Sequence, residues 1–469
     1  MKNIKAIKRA SKCAFCLVLA VIMLALGACN TVQPEVTEPA TEAVTDAPVM
    51  VTALKVKENV MAGMGIGVTM VESVEVDEKT LPEGYLTKIT EVTGRKLLVD
   101  VSAGSFLTDS MLEAKKENTN VNTNGDETIT EETARARGYI VVTDIVRSNG
   151  VSDISDDIQK IINDNPRSTI YFPDGTYAIS KPLMTSSDPE KAVSLYLSNF
   201  AIIRATDDWN SENGHMIRLG ALDAEKSVDS FGTSFYMYGG IIDGNGKAMG
   251  VSIEGGRGTS IRYVSMKFVT QGLHITKNAG CESSDVDLQT VNIVGCSNKD
   301  SIGVLVDGYD NTLVNMRVAR FQVAIKLNGA RNTLRNLHML WVYNDAKYDY
   351  EDSIGFWDTS EGNIYDICYP DNFAVGFLMS SRTVSVYNNC YAYWYSNKVG
   401  ETQIGFKAEG QFNSIIKHCR VDLREEKVAK YLVVGEGDGT GIVEYPIFPK
   451  GYNEDNSYID YLVGKVIWS

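Results

Sequence analysis

Histidine and cysteine are scarce in this 469-residue chain, and positive charge is outweighed. Its 60 acidic residues outnumber 45 basic ones, for a net charge of −15. A chain of that sign lacks the general basic field that holds nucleic acids or other polyanions. It has four scattered histidines and no Cys/His group at metal-ligand spacing, which excludes an ordinary zinc site. Of eight cysteines, Cys13, Cys16 and Cys29 lie near the start, leaving Cys281, Cys296, Cys368, Cys390 and Cys419. An odd count at irregular spacing is no disulfide framework. Cys390 and Cys419 share a phase of the repeat described below, with Cys368 one position off, so stacked thiols within disulfide reach are expected there.

What is present begins with a basic start, Lys2, Lys5, Lys8, Arg9 and Lys12, and an apolar run over 13–28. That run is short for a membrane span. It ends in Leu26-Gly27-Ala28-Cys29, which resembles the lipobox of bacterial lipoproteins. The resemblance implies that 1–28 is a signal peptide, that Cys29 is lipidated, and that the protein is lipid-anchored at the bacterial cell surface or the extracytoplasmic face of a membrane. Residues 29–51, rich in Thr, Pro, Glu, Val and Ala, cannot bury a core and read as a tether.

Residues 52–114 read as a small β unit, with strands over 52–57, 69–76 and 96–101 and turns at Gly63, Gly65 and Gly67. Its frame, Val51-Thr-Ala53 through Ala62-Gly63 and then Asp100-Val101-Ser-Ala103-Gly104-Ser-Phe-Leu107-Thr108, resembles the SAF-type β-clip domain. That resemblance implies at most a sugar- or cell-wall-binding module, and a spacer role stands beside it. The polar stretch 115–137 reads as a linker.

The rest of the chain repeats itself. Gly250, Gly272, Gly303, Ala324, Gly355, Gly376 and Gly405 each open a short alternating segment, at spacings of 22, 31, 21, 31, 21 and 29 residues. Strand-length alternation at such periods marks a β-solenoid with coils about 4.8 Å apart. The residues one and three places after each small residue, such as Phe356 and Asp358, are expected inside. The residues between them face out: Ser252, His274, Leu305, Lys326, Trp357, Leu378 and Lys407. Eight places on stands a turn former in six of the seven copies, Gly258, Gly280, Asn311, Asn332, Asn363 and Asn413, with Val384 the exception; the six are read as tight bends at positive φ. The alternate coils carry eight to ten extra residues, which must loop out.

Residues 138–179 hold a strand, a helix expected to be capped by Ser155 with Ile158, Ile161 and Ile162 on one face, and Thr169-Ile-Tyr-Phe-Pro-Asp-Gly175-Thr-Tyr-Ala-Ile179. This order resembles the opening of the pectate-lyase-like superfamily, and Ile241-Ile-Asp-Gly-Asn-Gly246 resembles a turn common in it. The resemblance implies an all-β fold: a right-handed parallel β-helix over 138–430, closed by the helix, with 431–469 as cap strands. It leaves activity open, because that superfamily holds lyases, hydrolases and inactive binders.

Two chemistries cleave polysaccharides on such a scaffold. Hydrolysis wants two carboxylates about 6.5–9.5 Å apart for inversion. Asp300-Ser301-Ile302-Gly303 recurs as Asp352-Ser353-Ile354-Gly355, so Asp300 and Asp352 share a column two coils apart, about 9.6 Å. Asn298-Lys-Asp300 and Glu351-Asp352 loosely resemble motifs of polygalacturonase-type hydrolases, which makes Asp300, Asp352 and Glu351 the candidate catalytic residues. No Gly-His-Gly follows, and Ala324-Ile-Lys326 is a displaced remnant of that family's pattern. The competing reading is that Asp-Ser is a turn used twice. Glu254 and Asp307 form a second such pair. Elimination would use Lys326, Arg331 or Arg335 as base, with calcium a possible cofactor although no acid cluster stands out; no other cofactor is expected. Aromatic faces stack on sugars, so Trp357, Lys326, Tyr348, Tyr350 and Trp394, on or beside the long loops, are the candidate substrate-binding residues. The expected partner is an extracellular polysaccharide. Whether it is cut by a hydrolase or a lyase, or only bound, is left open, as is the oligomeric state.

Overall fold

The computed structural model describes residues 49–113 apart from 65, 67–69, 89–90 and 93–94, and residues 129–447 apart from 224–235, 279–280, 343–345, 396–402, 424–429 and 437–438. It also describes the short strand Val466–Ile467. The signal segment, Cys29 and the tether lie outside the described residues. The chain divides into two compact units, 1–124 and 125–469.

The first unit is built on an antiparallel pair, Met50–Val56 with Val71–Asp77. Isolated bridges join Val60 to Val101 and Leu97 to Leu112, where a third strand was expected. Leu54, Val56, Val71, Val92, Val101 and Leu107 form its core. Gly63 and Gly104 turn at φ +83° and +87°, a region that costs other residues energy. Arg95 is 7 % exposed and bonds Asp109 at 2.6 Å.

The second unit is a right-handed parallel β-helix. The chain passes in turn through sheets of ten, thirteen and eleven strands, each strand pairing parallel with its counterpart in the next coil. The alternation predicts this register residue by residue. Ser252, His274, Leu305, Lys326, Trp357, Leu378 and Lys407 are successive partners in the ten-stranded sheet. Their neighbours on either side are buried. Phe356, Phe377 and Phe406 stack inside with ring centroids 4.9 and 4.8 Å apart, the strand spacing read directly off the core.

The small residues opening each repeat are required by close approach. A Cβ on Gly272 would lie 1.9 Å from the Gly303 carbonyl oxygen, and one on Gly303 would lie 2.3 Å from Val318. The column eight places on behaves differently from expectation. Gly258 has positive φ and Gly280 lies outside the described residues, but Asn311, Asn332 and Asn363 do not have positive φ. They are buried, and form a ladder. Asn332 Oδ1 accepts from Asn311 N and Nδ2, and Asn363 Oδ1 accepts from Asn332 N and Nδ2. The ladder satisfies backbone groups that the bend would otherwise leave unpaired inside. The left-handed residue of that bend stands one place earlier, at Asp310, Arg331 and Gly362, and a second left-handed series marks the corner between the thirteen- and eleven-stranded sheets, at Tyr263, Thr290, Asn315, Asn336, Ile367, Asn389, His418 and Tyr445.

Four further expectations shift. The helix Ser155–Asp164 buries Ser155, Ile158, Ile161 and Ile162, but Ser155 is its first residue and Ile154 its cap. The Ser155 hydroxyl accepts from Ser180 N and Lys181 N of the following coil. Within the expected linker, Glu131–Ala136 is a helix with a Thr130/Thr133 capping box. Lys430–Val434, expected as cap, pairs with Ile404–Ala408 and adds another coil strand. Cys368 stands level with Cys390 and Cys419, since Asp366, Asn388 and Lys417 are register partners. All three thiols are free and buried, and burial pushes those of Cys390 and Cys419 well up.

Candidate functional site

The repeated Asp-Ser is explained by its serine. Ser301 and Ser353 are fully buried. Each hydroxyl accepts from a backbone N–H of the next coil: Gln322 N for Ser301 and Ala374 N for Ser353. The acids beside them are exposed. Among the described residues neither the Asp300 nor the Asp352 carboxylate makes a hydrogen bond or ion pair. Asp300 sits at φ +58° in a turn, and Asp352 and Glu351 lie in the 3-10 turn Tyr350–Asp352. Two coils separate Asp300 from Asp352, as expected.

Two of the aromatic candidates point away from solvent. Trp394 is 1 % exposed, in the strand Tyr391–Trp394, and its Nε1 donates to Phe373 O at 2.6 Å. Tyr350 is 6 % exposed and meets Trp341 edge-on. Both are packing residues, so their expected sugar contact is corrected: a ring buried on both faces offers none to a ligand. Tyr348 is part-buried and its hydroxyl donates to Phe321 O at 2.9 Å. Burial pushes that hydroxyl's pKa up to about 12, and the bond to Phe321 O fastens Tyr348 to the coil.

Lys326 and Trp357 do stand together on the outward face of the ten-stranded sheet. The ammonium lies 3.9 Å from the indole centroid, a cation–π contact. Trp357 Nε1 donates to Ser380 Oγ at 3.3 Å, and Ser380 Oγ to Glu409 at 3.2 Å.

The same face carries the second acid pair, and here the carboxylates are engaged. Arg218 grips Glu254 through Nε at 2.6 Å and Nη2 at 2.7 Å, and Ser252 Oγ adds a 2.7 Å bond. Burial alone would raise the Glu254 carboxyl, but the Arg218 and Ser252 hydrogen bonds outweigh it and hold it below the ordinary range. His274 Nε2 donates to Asp307 Oδ2 at 2.7 Å, and Asn328 Nδ2 to Oδ1 at 2.7 Å. The His274 bond leads in lowering the Asp307 pKa, against opposing burial. His215 lies 5.9 Å from His274, ring to ring. Burial, and then His274, push its pKa down to about 4. A cavity of about 240 Å³ opens beside His215, His274 and Leu305, and one of about 660 Å³ beside Asp307, Asn328 and Arg331.

The His274–Asp307 pair has the form of an oriented acid–base group, because the carboxylate fixes tautomer and ring direction. His274, Glu254 and Asp307 carry sequence signals through the repeat. His215 and Arg218 do not, because 183–250 repeats too irregularly to place them. Asp358 is a carboxyl pushed up by burial; it faces the interior and accepts from Ser385, Asn363 and Ser360. Arg331 and Arg335, the alternative bases, are exposed and paired with Asp310 and Asp366. No group of three or more His, Cys, Asp or Glu among the described residues could hold a metal ion.

Residues 51–113 match the SAF domain family. No curated protein matches the chain. Among solved structures it is similar to PfbA, a surface adhesin of Streptococcus pneumoniae, at 13 % identity over 65 % of this chain and 93 % of that one, TM-score 0.42. It is similar to an endo-xylogalacturonan hydrolase from Aspergillus tubingensis at 11 % identity, 64 % and 94 % coverage, TM-score 0.40. A DFA-IIIase from Arthrobacter chlorophenolicus A6 is similar at 10 % identity, 71 % and 98 % coverage, TM-score 0.48. At such distances these likenesses select no activity for this chain.

Proposed function

We propose that this protein binds a polysaccharide along the outward face of its ten-stranded sheet, displayed outside the cytoplasm. The observation that carries the reading is the row of His274–Asp307, Lys326 and Trp357 on successive coils of one face. A linear polymer laid along the axis meets one such group every coil, about 4.8 Å. The charged groups and hydroxyls bond sugar hydroxyls, and the indole offers an apolar face. Display rests on the basic start, the apolar run and Cys29. Among the described residues no helix is long and apolar enough to cross a membrane.

Binding is favoured over two-carboxylate hydrolysis because Glu254 and Asp307 are both held ionised, so neither is a ready proton donor. A second reading, cleavage, is favoured by one feature: His274, oriented by Asp307, beside an open cavity. The test is retention of the full chain on immobilised neutral and uronic polysaccharides, with parallel assays for new reducing ends and for the absorbance of an unsaturated product. Retention is expected to weaken about tenfold or more in Trp357→Ala. No retention on any polymer ends the proposal. Reducing ends without absorbance mean hydrolysis, absorbance means elimination, and loss of either in His274→Ala assigns the proton transfer.

A further inference from the structure

A different face carries a second candidate. On the outside of the thirteen-stranded sheet, Tyr171, Tyr196, Tyr238 and Arg262 are register partners on four successive coils. Tyr171 is buried, and its hydroxyl donates to Ile129 O at 2.7 Å. The next two rings remain part-exposed. Tyr196 and Tyr238 stack at 4.6 Å and 17°, and Tyr263 leans on Tyr238 at 5.3 Å. Tyr236 and Tyr263 are 49 % and 43 % exposed. Solvent-facing rings gathered at one place mark a contact surface more often than a structural need.

Tyr196, Tyr236 and Tyr238 border a cavity of about 370 Å³, within the range of small-ligand sites. Arg137 and Arg262 line it, Thr169 and Ser194 add hydroxyls, and among the described residues no carboxylate does. In a chain of net charge −15, a cavity bordered by two guanidinium groups is complementary to an anion. Arg262 is held in place by Asp287, 2.5 Å from Nη2, which lies outside the cavity lining. The aromatic walls suit the apolar face of a pyranose ring, and the guanidinium groups suit a carboxylate on it.

We propose that this cavity binds an acidic sugar residue, a pyranose carrying a carboxylate, separately from the ten-stranded face. The ligand class rests on the polysaccharide reading, but the site does not share its residues. The test is calorimetric titration of the full chain with a uronic-acid tetrasaccharide and with its carboxyl-reduced, neutral counterpart. The acid is expected to bind about tenfold tighter than the neutral form, and Arg262→Gln to erase that preference. Tyr238→Ala is expected to lose about tenfold in affinity and Tyr238→Phe to stay near the native value. If Tyr238→Ala does not fold, Arg262→Gln alone carries the decision. Equal affinity for the two sugars, or no binding of the acid, overturns the proposal. Loss in Trp357→Ala with Tyr238→Ala intact overturns it too, while leaving the ten-stranded face standing.

Discussion

Two pairs of acids stand two coils apart on this β-helix, and their surroundings differ in nearly every respect. Asp300 and Asp352 come from a repeated tetrapeptide, lie exposed, and their carboxylates engage nothing among the described residues. Glu254 and Asp307 come from a second column, lie half-buried, and are bonded to Arg218, Ser252, His274 and Asn328. Repetition in sequence therefore marks what every coil must do, here the Ser301 and Ser353 bonds to the next strand. Chemistry sits where single coils depart from the repeat.

The largest effect that would sharpen this contrast is Glu254→Ala. It leaves a part-buried Arg218 and Ser252 without their acceptor and is expected to cost about 3 kcal/mol in urea unfolding. A loss below about 0.5 kcal/mol, typical of surface sites, would erase the difference between the pairs. Next comes pH. The depressed His215 makes the neutral form the folded one. Its contribution is full above the unfolded value of about 6.5 and is lost as pH falls toward about 4, by about 2 kcal/mol after allowance for its part exposure. His215→Gln is expected to flatten that part of the stability curve. Asp307, also depressed, contributes above the ordinary aspartate value and loses that contribution as pH falls through its lowered one. Asp307→Asn is expected to flatten the more acidic limb.

Smaller still, Ser301→Ala and Ser353→Ala each remove a buried acceptor from a backbone N–H and are expected to cost about 1–2 kcal/mol. Smallest of all, Asp300→Asn and Asp352→Asn, the latter in an exposed turn and the former with a residue that tolerates positive φ, are expected to change stability by less than about 0.5 kcal/mol. They are expected to leave polysaccharide retention unchanged as well. A marked loss of retention or cleavage in either one would reverse the comparison and return the site to the repeated acids.

The coil was legible almost to the residue, because a two-residue alternation and a fixed period leave one register that keeps every apolar side chain inside. The Phe356, Phe377 and Phe406 stack and the Lys326–Trp357 juxtaposition both follow from it. Bends were harder. Asparagine fits both a positive φ and a buried amide ladder, and only the neighbouring coil shows which is used at Asn311, Asn332 and Asn363. Burial of Trp394 and Tyr350 was illegible for a related reason: an aromatic next to a long loop reads as exposed until its packing partners on other parts of the coil, here Phe373 and Trp341, are seen.

By itself, then, the chain's order of residues determined the β-helix, its register, the helix at its start and the separate unit before it, because those depend on local periodicity and short-range spacing. Only the tertiary structure decided which acids are engaged, that His215 and Arg218 join the outward face, and that Tyr196, Tyr238, Arg137 and Arg262 border one cavity. Those groups lie on different coils, tens of residues apart, and their protonation and contacts are set by neighbours that no single coil contains.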